Sequence, residues 1–183
     1  MKKYEFTGET KEIKLLFRTA VLHRIRATVS FGFVKIGDLG GWIEKEENLS
    51  HEGKAWVWGN AKVCGDAEVW GNAEVWGNAK VWGDAEVCGD AKVWDNAEVF
   101  SASHVLVIGA IGSRNDFTTF YRDKDNEITV KCGCFLGKID RFLEKVTQTH
   151  GDSKYALVYR AAVEVAKLQI DLSGEAPKDA DEE

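Results

Sequence analysis

Small and branched apolar residues recur every six positions through the middle of the chain. Alanine takes one position of each hexad, and valine follows two residues later. The valine column comprises Val57, Val63, Val69, Val75, Val81, Val87, Val93, Val99 and Val105. The alanine column comprises Ala55, Ala61, Ala67, Ala73, Ala79, Ala85, Ala91 and Ala97, and Ser103 continues it. An α-helix repeats its apolar positions near every 3.6 residues. Alternation within an Ala-x-Val triplet instead puts alanine and valine on one side of a short β-strand.

The last two positions of each hexad favour a chain turn. They hold Gly or Asp followed by Asn or Asp, which tolerate positive φ angles. Three such hexads close one triangular coil, and stacked coils pair their strands in parallel about 4.8 Å apart. We therefore predict a mainly β protein with a short parallel β-helix over residues 53–106, about three coils long. Valine and alanine would fill its narrow interior.

The residue after each valine points outward and is most often tryptophan. Three hexads per coil stack these residues in three columns: Trp58, Trp76 and Trp94; Cys64, Trp82 and Phe100; Trp70, Cys88 and Leu106. The rings could pack on one another from coil to coil, form a subunit interface, or form a ligand platform. Apolar columns of this size exceed what a monomer normally exposes. We favour an oligomer interface formed by Trp58, Trp70, Trp76, Trp82 and Trp94.

The segments on either side of the repeat follow other patterns. Residues 1–52 predict an N-terminal β cap, with strands at YEFTG and RIRATVSFGFV. Residues 107–172 predict a small C-terminal α+β domain, in which FTTFYRDKDNEITVKC is a hairpin. Two amphipathic helices follow; the first stops at Gly151, and Asp152 or Ser153 caps the second. The acidic residues 173–183 predict a disordered tail.

Charge and composition limit the possible partners. The net charge is -6 and the sequence pI is near 5.3, which argues against nonspecific binding to DNA or a membrane surface. No apolar run is long enough to span a bilayer, and the first residues lack the apolar core of a signal peptide. These features predict a cytoplasmic protein. The four cysteines fit no four-ligand zinc spacing. Cys132 and Cys134 alternate on a strand and predict two small buried thiols on one side of it, so neither a metal nor a cofactor is expected.

The loop GAIGSRND is the strongest candidate for a ligand site. Two glycines could turn backbone N–H groups toward an anion, and a serine hydroxyl and an arginine fork add donors. The predicted ligand-binding residues are Gly109, Gly112, Ser113, Arg114 and Asn115 in the loop, and Thr118, Thr119, Tyr121 and Arg122 on the hairpin that follows. This set suits a phosphate or nucleotide. A plain structural turn with a surface arginine explains the same residues.

His104 and Glu86 are the candidate catalytic residues. In the predicted β-helix His104 lies one coil from Glu86, whose carboxylate could orient the imidazole as a general base. The repeat contains no inserted loop to cover a coenzyme, so the ordinary interpretation is a surface histidine.

The hexads resemble the hexapeptide-repeat, left-handed parallel β-helix superfamily. That resemblance implies a left-handed coil and a homotrimer, and it makes an acetyl-CoA-dependent acyltransferase a candidate activity. The lead-in GDLGGWIEKEENLS, with Gly37, Gly40, Gly41, Trp42 and Asn48, is similar to uncharacterised hexapeptide proteins of phages, prophages and gut Firmicutes. The segments IGSRNDFTTFYR and CGCF resemble the same group. This narrower resemblance implies a protein acting in the cytoplasm of a bacterial host.

Three functions follow, in order of preference. The first is a non-enzymatic binding protein whose C-terminal domain holds a small anionic, nucleotide-like ligand and so sequesters a host immune signal. The second is a structural or protein-binding module acting through the tryptophans, with a host defence protein as one candidate partner. The third is the acyltransferase, because a fold does not by itself fix an activity.

Overall fold

The computed structural model describes residues 2–15 and 18–174. It is mainly β: a three-turn β-solenoid carries an antiparallel strand pair at its N-terminal side and an antiparallel sheet with two helices at its C-terminal side. The strands are β1 (Tyr4–Leu15), β2 (Arg18–Ala27), β3 (Leu39–Ile43), β4 (Trp56–Val57), β5 (Lys62–Val63), β6 (Glu68–Val69), β7 (Glu74–Val75), β8 (Lys80–Val81), β9 (Glu86–Val87), β10 (Lys92–Val93), β11 (Glu98–Val99), β12 (Val105–Ile111), β13 (Asp116–Arg122), β14 (Ile128–Cys132) and β15 (Phe135–Lys138). The helices are α1 (Ile139–His150) and α2 (Lys154–Gln169). The predicted disordered tail lies largely outside the described residues.

The predicted solenoid register is confirmed. The valines of five hexads each pair in parallel with the valine three hexads later: Val57 with Val75, Val63 with Val81, Val69 with Val87, Val75 with Val93, and Val81 with Val99. The strands form three faces, which we name the tryptophan face (β4, β7, β10), the hairpin face (β3, β5, β8, β11) and the open face (β6, β9). Parallel pairing already begins at Trp42 and Ile43, which lie beside Lys62 and Val63.

The interior of the solenoid is filled by the alanine and valine columns, as predicted. Every member from Ala55 to Val99 is at most 1% exposed. Glycine is required where corners stack: Gly71 has φ +72°, and a Cβ there would lie 3.1 Å from the Gly89 nitrogen. The valine column ends at Val99. Val105 and Leu106 open β12 and pair antiparallel with β13, because a short turn at Ala102–His104, closed by the Ser101 side chain, leads the chain out of the coil.

The N-terminal strands cover a side of the solenoid, and their bounds differ from the prediction. β1 extends well beyond YEFTG, whereas β2 starts at Arg18 and ends at Ala27, so the second half of the predicted strand RIRATVSFGFV is a turn region instead. β1 and β2 form an antiparallel hairpin, and β2 pairs with β3 at the edge of the hairpin face. Apolar side chains near the hairpin tip pack against the outer residues of that face in one buried cluster: Ile13, Leu15, Ala20, Leu22, Trp42, Cys64, Trp82 and Phe100. The hairpin therefore shields the Cys64–Trp82–Phe100 column from solvent.

The C-terminal sheet closes the other end of the solenoid. Tyr121 on β13 enters the solenoid core, and its hydroxyl donates to the Trp94 carbonyl at 3.0 Å. Phe120, its neighbour on the opposite side of the strand, packs edge-on against Phe142 of α1 in a cluster that also contains residues of α2. The predicted hairpin and both helices are confirmed. Ser153 is the N-cap residue of α2 but makes no side-chain capping bond. No helix of residues 2–15 and 18–174 is long and apolar enough to cross a membrane.

Candidate functional site

The tryptophan face carries a continuous column of stacked rings. Trp58 and Trp76 lie parallel with ring centroids 4.2 Å apart, and Trp76 and Trp94 are tilted with centroids 5.3 Å apart. Trp76 also donates its indole N–H to Glu74 at 2.9 Å. Coil-to-coil packing, one of the three interpretations of the tryptophans, therefore describes this column. Each inner ring face already contacts a neighbouring ring, so a ligand cannot insert between them without separating the stack.

The other predicted interface tryptophans lie in different surroundings. Trp82 is only 2% exposed beneath the N-terminal hairpin, so its ring is not available to a second subunit. Trp70 on the open face is 41% exposed and donates its indole N–H to Glu86. Subunit assembly through Trp58, Trp70, Trp76 and Trp94 stays a prediction.

A groove of about 290 Å³ opens where the tryptophan face meets the loop between β2 and β3. Phe31 and Val34 form a bridge that projects Phe33 from this loop, and Phe33 is 88% exposed. Phe33 and Trp58 both line the groove, and the fully buried Trp56 lies between the groove and the N-terminal core. The groove thus has aromatic walls held by a rigid coil on one side and a turn on the other.

Charged and polar side chains surround these aromatic rings. Lys54, Asn72, Glu74, Asp90 and Lys92 complete the lining. The two carboxylates already accept hydrogen bonds, Glu74 from the Trp76 indole and Asp90 from the Asn72 amide at 3.1 Å. The groove offers two ammonium groups for an anion and two carboxylates for hydroxyl groups, beside aromatic rings for a planar ring.

Lys131 places a second cation close to Lys92. Lys131 is 7% exposed, packs its ammonium 4.3 Å from the centre of the Trp94 ring and donates to the Gly133 carbonyl. Burial lowers the pKa of Lys131, and the nearby positive charge of Lys92 lowers it further, while Cys134, Cys132 and Glu74 oppose this shift. Two like charges repel in partly desolvated surroundings, so a phosphate near Lys92 would relieve this repulsion.

The structure explains the glycines of the predicted GAIGSRND loop by close packing. A Cβ on Gly109 would lie 2.4 Å from the Phe117 ring, and a Cβ on Gly112 would lie 1.9 Å from the Tyr159 hydroxyl. Arg114 lies directly over Gly133. A Cβ on Gly133 would be 2.6 Å from the Arg114 guanidinium. The loop is the tip of the β12–β13 hairpin, docked on α2 and on the β14–β15 turn. Ser113, Arg114 and Asn115 are exposed at this tip.

The predicted partners on β13 are not brought to this tip. Thr119 accepts a hydrogen bond from the Lys92 backbone N–H at the end of the solenoid, and Tyr121 enters the solenoid core. Thr118 lies on the other side of the strand against Cys132. Arg122 is 2% exposed, donates to the Ser173 and Gly174 carbonyls, and lies 4.5 Å from the centre of the Phe100 ring. These four side chains face two sides of the sheet and do not line one pocket.

His104 and Glu86 have separate partners. The His104 imidazole is 2% exposed, packs edge-on against Phe100 and accepts the Phe100 backbone N–H at 3.2 Å. Glu86 accepts the Trp70 indole N–H on the open face. The surface position predicted for His104 is wrong, because the turn after Ser101 folds the ring inward.

The cysteines differ in exposure. Cys132 is half-buried against Thr118 and the Tyr159 hydroxyl, whereas Cys134 is exposed. The prediction of two buried thiols on one side of a strand is wrong for Cys134, because β14 ends at Cys132 and Gly133, with φ +54°, starts a turn. Within residues 2–15 and 18–174, no group of three or more His, Cys, Asp or Glu side chains could hold a metal ion.

The groove residues were only partly recognisable in the sequence. The three-hexad register already places Trp56, Glu74 and Lys92 side by side on one face. Phe33 carried no such signal, because FGFV has the composition of a strand and the structure makes it a turn. No family model matches the chain, and no curated protein matches it.

Proposed function

We propose that the protein is a non-enzymatic binding protein that holds a small nucleotide-like ligand in the groove between the tryptophan face and Phe33. The observation that carries the proposal is the combination of aromatic walls and two lysines in one groove. A base can stack on Phe33 and the edge of the Trp58 column, since every base presents a π face. A phosphate can pair with Lys92 and Lys54, and ribose hydroxyl groups can donate to Asp90 or Glu74.

The groove is favoured over the GAIGSRND loop as the ligand site. In the loop, Gly109 and Gly112 are accounted for by contact with Phe117 and Tyr159, and the single exposed cation, Arg114, lies two residues before the exposed carboxylate of Asp116. The groove contains a preformed concave surface with both polar and aromatic groups, as small-molecule sites usually do.

We also propose that the protein acts in a phage or prophage setting. The strict hexads and the GDLGGWIEKEENLS lead-in support a left-handed hexapeptide-repeat protein of the phage and prophage type. In such a setting the ligand would be a host immune signal nucleotide, sequestered in the bacterial cytoplasm. Sequestration requires tight binding without turnover, and the stacking and charged groups of the groove support binding of this kind.

Calorimetric titration with a panel of nucleosides, nucleoside monophosphates and cyclic dinucleotides tests the proposal. We expect binding of phosphate-bearing members, and we expect Phe33→Ala to weaken it about tenfold or more through lost stacking. Lys92→Ala should weaken the phosphate-bearing members but leave nucleosides unchanged, because only the former use the ammonium group. Both side chains are exposed, so neither change should affect folding.

Arg114→Ala is the matched control. It removes one exposed cation from the alternative site and leaves the groove intact. If Arg114→Ala lost affinity and the groove variants did not, the ligand site would be on the β12–β13 hairpin and not in the groove. Absence of binding by the whole panel would refute a nucleotide-binding function.

A further inference from the structure

Helix α2 has apolar residues on two opposite sides. One side packs against the C-terminal sheet and α1 through Ala156, Tyr159, Ala162, Val163 and Ala166. The opposite side carries an exposed row that we name the α2 stripe: Leu157, Val158, Ala161, Val165 and Leu168. A helix at a protein surface normally places polar residues opposite its buried face. Apolar residues on both sides indicate that α2 has a second packing partner.

The spacing of the α2 stripe is that of a helix-pairing seam. Val158, Ala161, Val165 and Leu168 are separated by three, four and three residues, which repeats the a and d positions of a heptad. Leu157, Val165 and Leu168 are 58%, 48% and 89% exposed. These side chains therefore present apolar area to water along almost the whole helix.

The charged side chains near the α2 stripe favour a second copy of the chain in an antiparallel orientation. Lys154 lies on the same row, one heptad before Ala161, so a parallel pair of α2 helices would bring two Lys154 ammonium groups together. An antiparallel pair places Lys154 beside Leu168 of the other copy, close to the C-terminal end of that helix and its exposed Asp171. The negative end of the helix dipole and the carboxylate both attract the ammonium group. Ala161 then lies at the crossing point, where a small residue lets two helices approach closely.

We propose that the α2 stripe is a dimer interface, on which a second copy of this chain packs its own α2 in an antiparallel, two-fold arrangement. The same patch serves both copies, as an isologous interface requires. Leu157 of one copy faces Val165 of the other, and each Lys154 pairs with the opposite Asp171. None of the groove residues takes part, so binding of the nucleotide-like ligand and assembly are separable.

The mass in solution tests the interface. Sedimentation velocity at micromolar concentrations should give twice the chain mass of 20.4 kDa, and not the three times that mass expected of a homotrimer. Leu168→Glu, at a position 89% exposed, should raise the dimer dissociation constant at least tenfold without altering the circular dichroism spectrum. Ile36→Glu is the matched control, since Ile36 is 69% exposed at the opposite, N-terminal end of the chain and should leave the dimer unchanged. A monomeric wild-type protein, or an oligomer that survives Leu168→Glu, would overturn the proposal.

Disulfide formation between introduced cysteines tests the orientation of the two α2 helices. The exposed Cys134 is first replaced by serine so that it cannot form a disulfide. A mixture of Lys154→Cys and Leu168→Cys chains should form the mixed disulfide, and Leu168→Cys alone should form none between its introduced thiols. The peptides are identified by mass spectrometry. A disulfide between two copies of the Leu168→Cys chain would establish a parallel pair and overturn the antiparallel arrangement.

Discussion

Buried polar side chains fasten the end of α2 to the last coil of the solenoid. Arg122 donates to the Ser173 and Gly174 carbonyls at 3.1 and 2.7 Å and covers the Phe100 ring. His104 packs against the same ring and accepts the Phe100 backbone N–H. Both side chains are 2% exposed, so their hydrogen bonds compensate for lost hydration. A cation and a neutral imidazole therefore share one buried junction.

The stability of the protein should fall as the pH drops below about 6.5. Burial lowers the pKa of His104 from 6.5, and Arg122 lowers it further, while Asp171 and Asp84 oppose this shift. The unfolded chain then takes up a proton at a pH where the folded chain does not, which favours unfolding. Burial also lowers the pKa of His51, which adds to the effect in the same window. Urea unfolding at several pH values between pH 8 and pH 5 measures how the unfolding free energy changes with pH.

His104→Gln identifies the contribution of His104. The variant cannot titrate in this window, so its unfolding free energy should depend less steeply on pH than that of the wild type. The test is the slope of the unfolding free energy against pH, which can be compared even if the variant is less stable overall. An unchanged slope would show that His104 is protonated in the folded state as easily as in the unfolded chain.

At the scale of elements, the three faces of the solenoid have three different environments. The hairpin face is covered by β1 and β2, the tryptophan face carries a stacked column beside the groove, and the open face presents Trp70 and Glu86. The hexads that build the faces are nearly identical in sequence. The difference therefore arises from what packs on each face.

Two tryptophans at equivalent hexad positions should differ in their effect on stability. Trp82→Ala should cost about 3–5 kcal/mol of unfolding free energy, because it opens a cavity under the N-terminal hairpin. Trp70→Ala on the open face should cost less than about 1 kcal/mol, since Trp70 is 41% exposed. Chemical denaturation of both variants measures the difference. Equal costs would show that the hairpin does not cover Trp82 in solution.

The sequence predicts the elements that local pattern controls. The valine and alanine columns determine the coil register, and the 3.6-residue pattern together with Gly151 predicts α1 and its end. Contacts between distant segments leave no such repeating pattern in the sequence. Nothing in the six-residue period indicates that Ile13 and Leu22 cover Trp82, or that Gly112 is small because Tyr159 approaches it. The groove depends on such a contact, because the Phe33 turn must lie beside Trp58 and Lys92.

At the scale of the whole molecule, the solenoid supports both the groove and the C-terminal sheet that carries α2. The groove lies where the N-terminal loop meets the tryptophan face, and the α2 stripe lies on the C-terminal helices. Stacked coils with a filled interior keep the groove residues in fixed register. The proposed ligand site and the proposed dimer interface share no residues.

The position of ligand binding tests this account most directly. The seven tryptophans give seven indole N–H signals in a ¹H–¹⁵N NMR spectrum of the ¹⁵N-labelled protein. Titration with a nucleotide that binds in calorimetry should shift the signals of Trp56 and Trp58 and leave those of Trp70 and Trp82 unchanged, because only the first two line the groove. Shifts confined to backbone signals around Arg114 and Tyr159, with every indole signal unmoved, would contradict the proposed site.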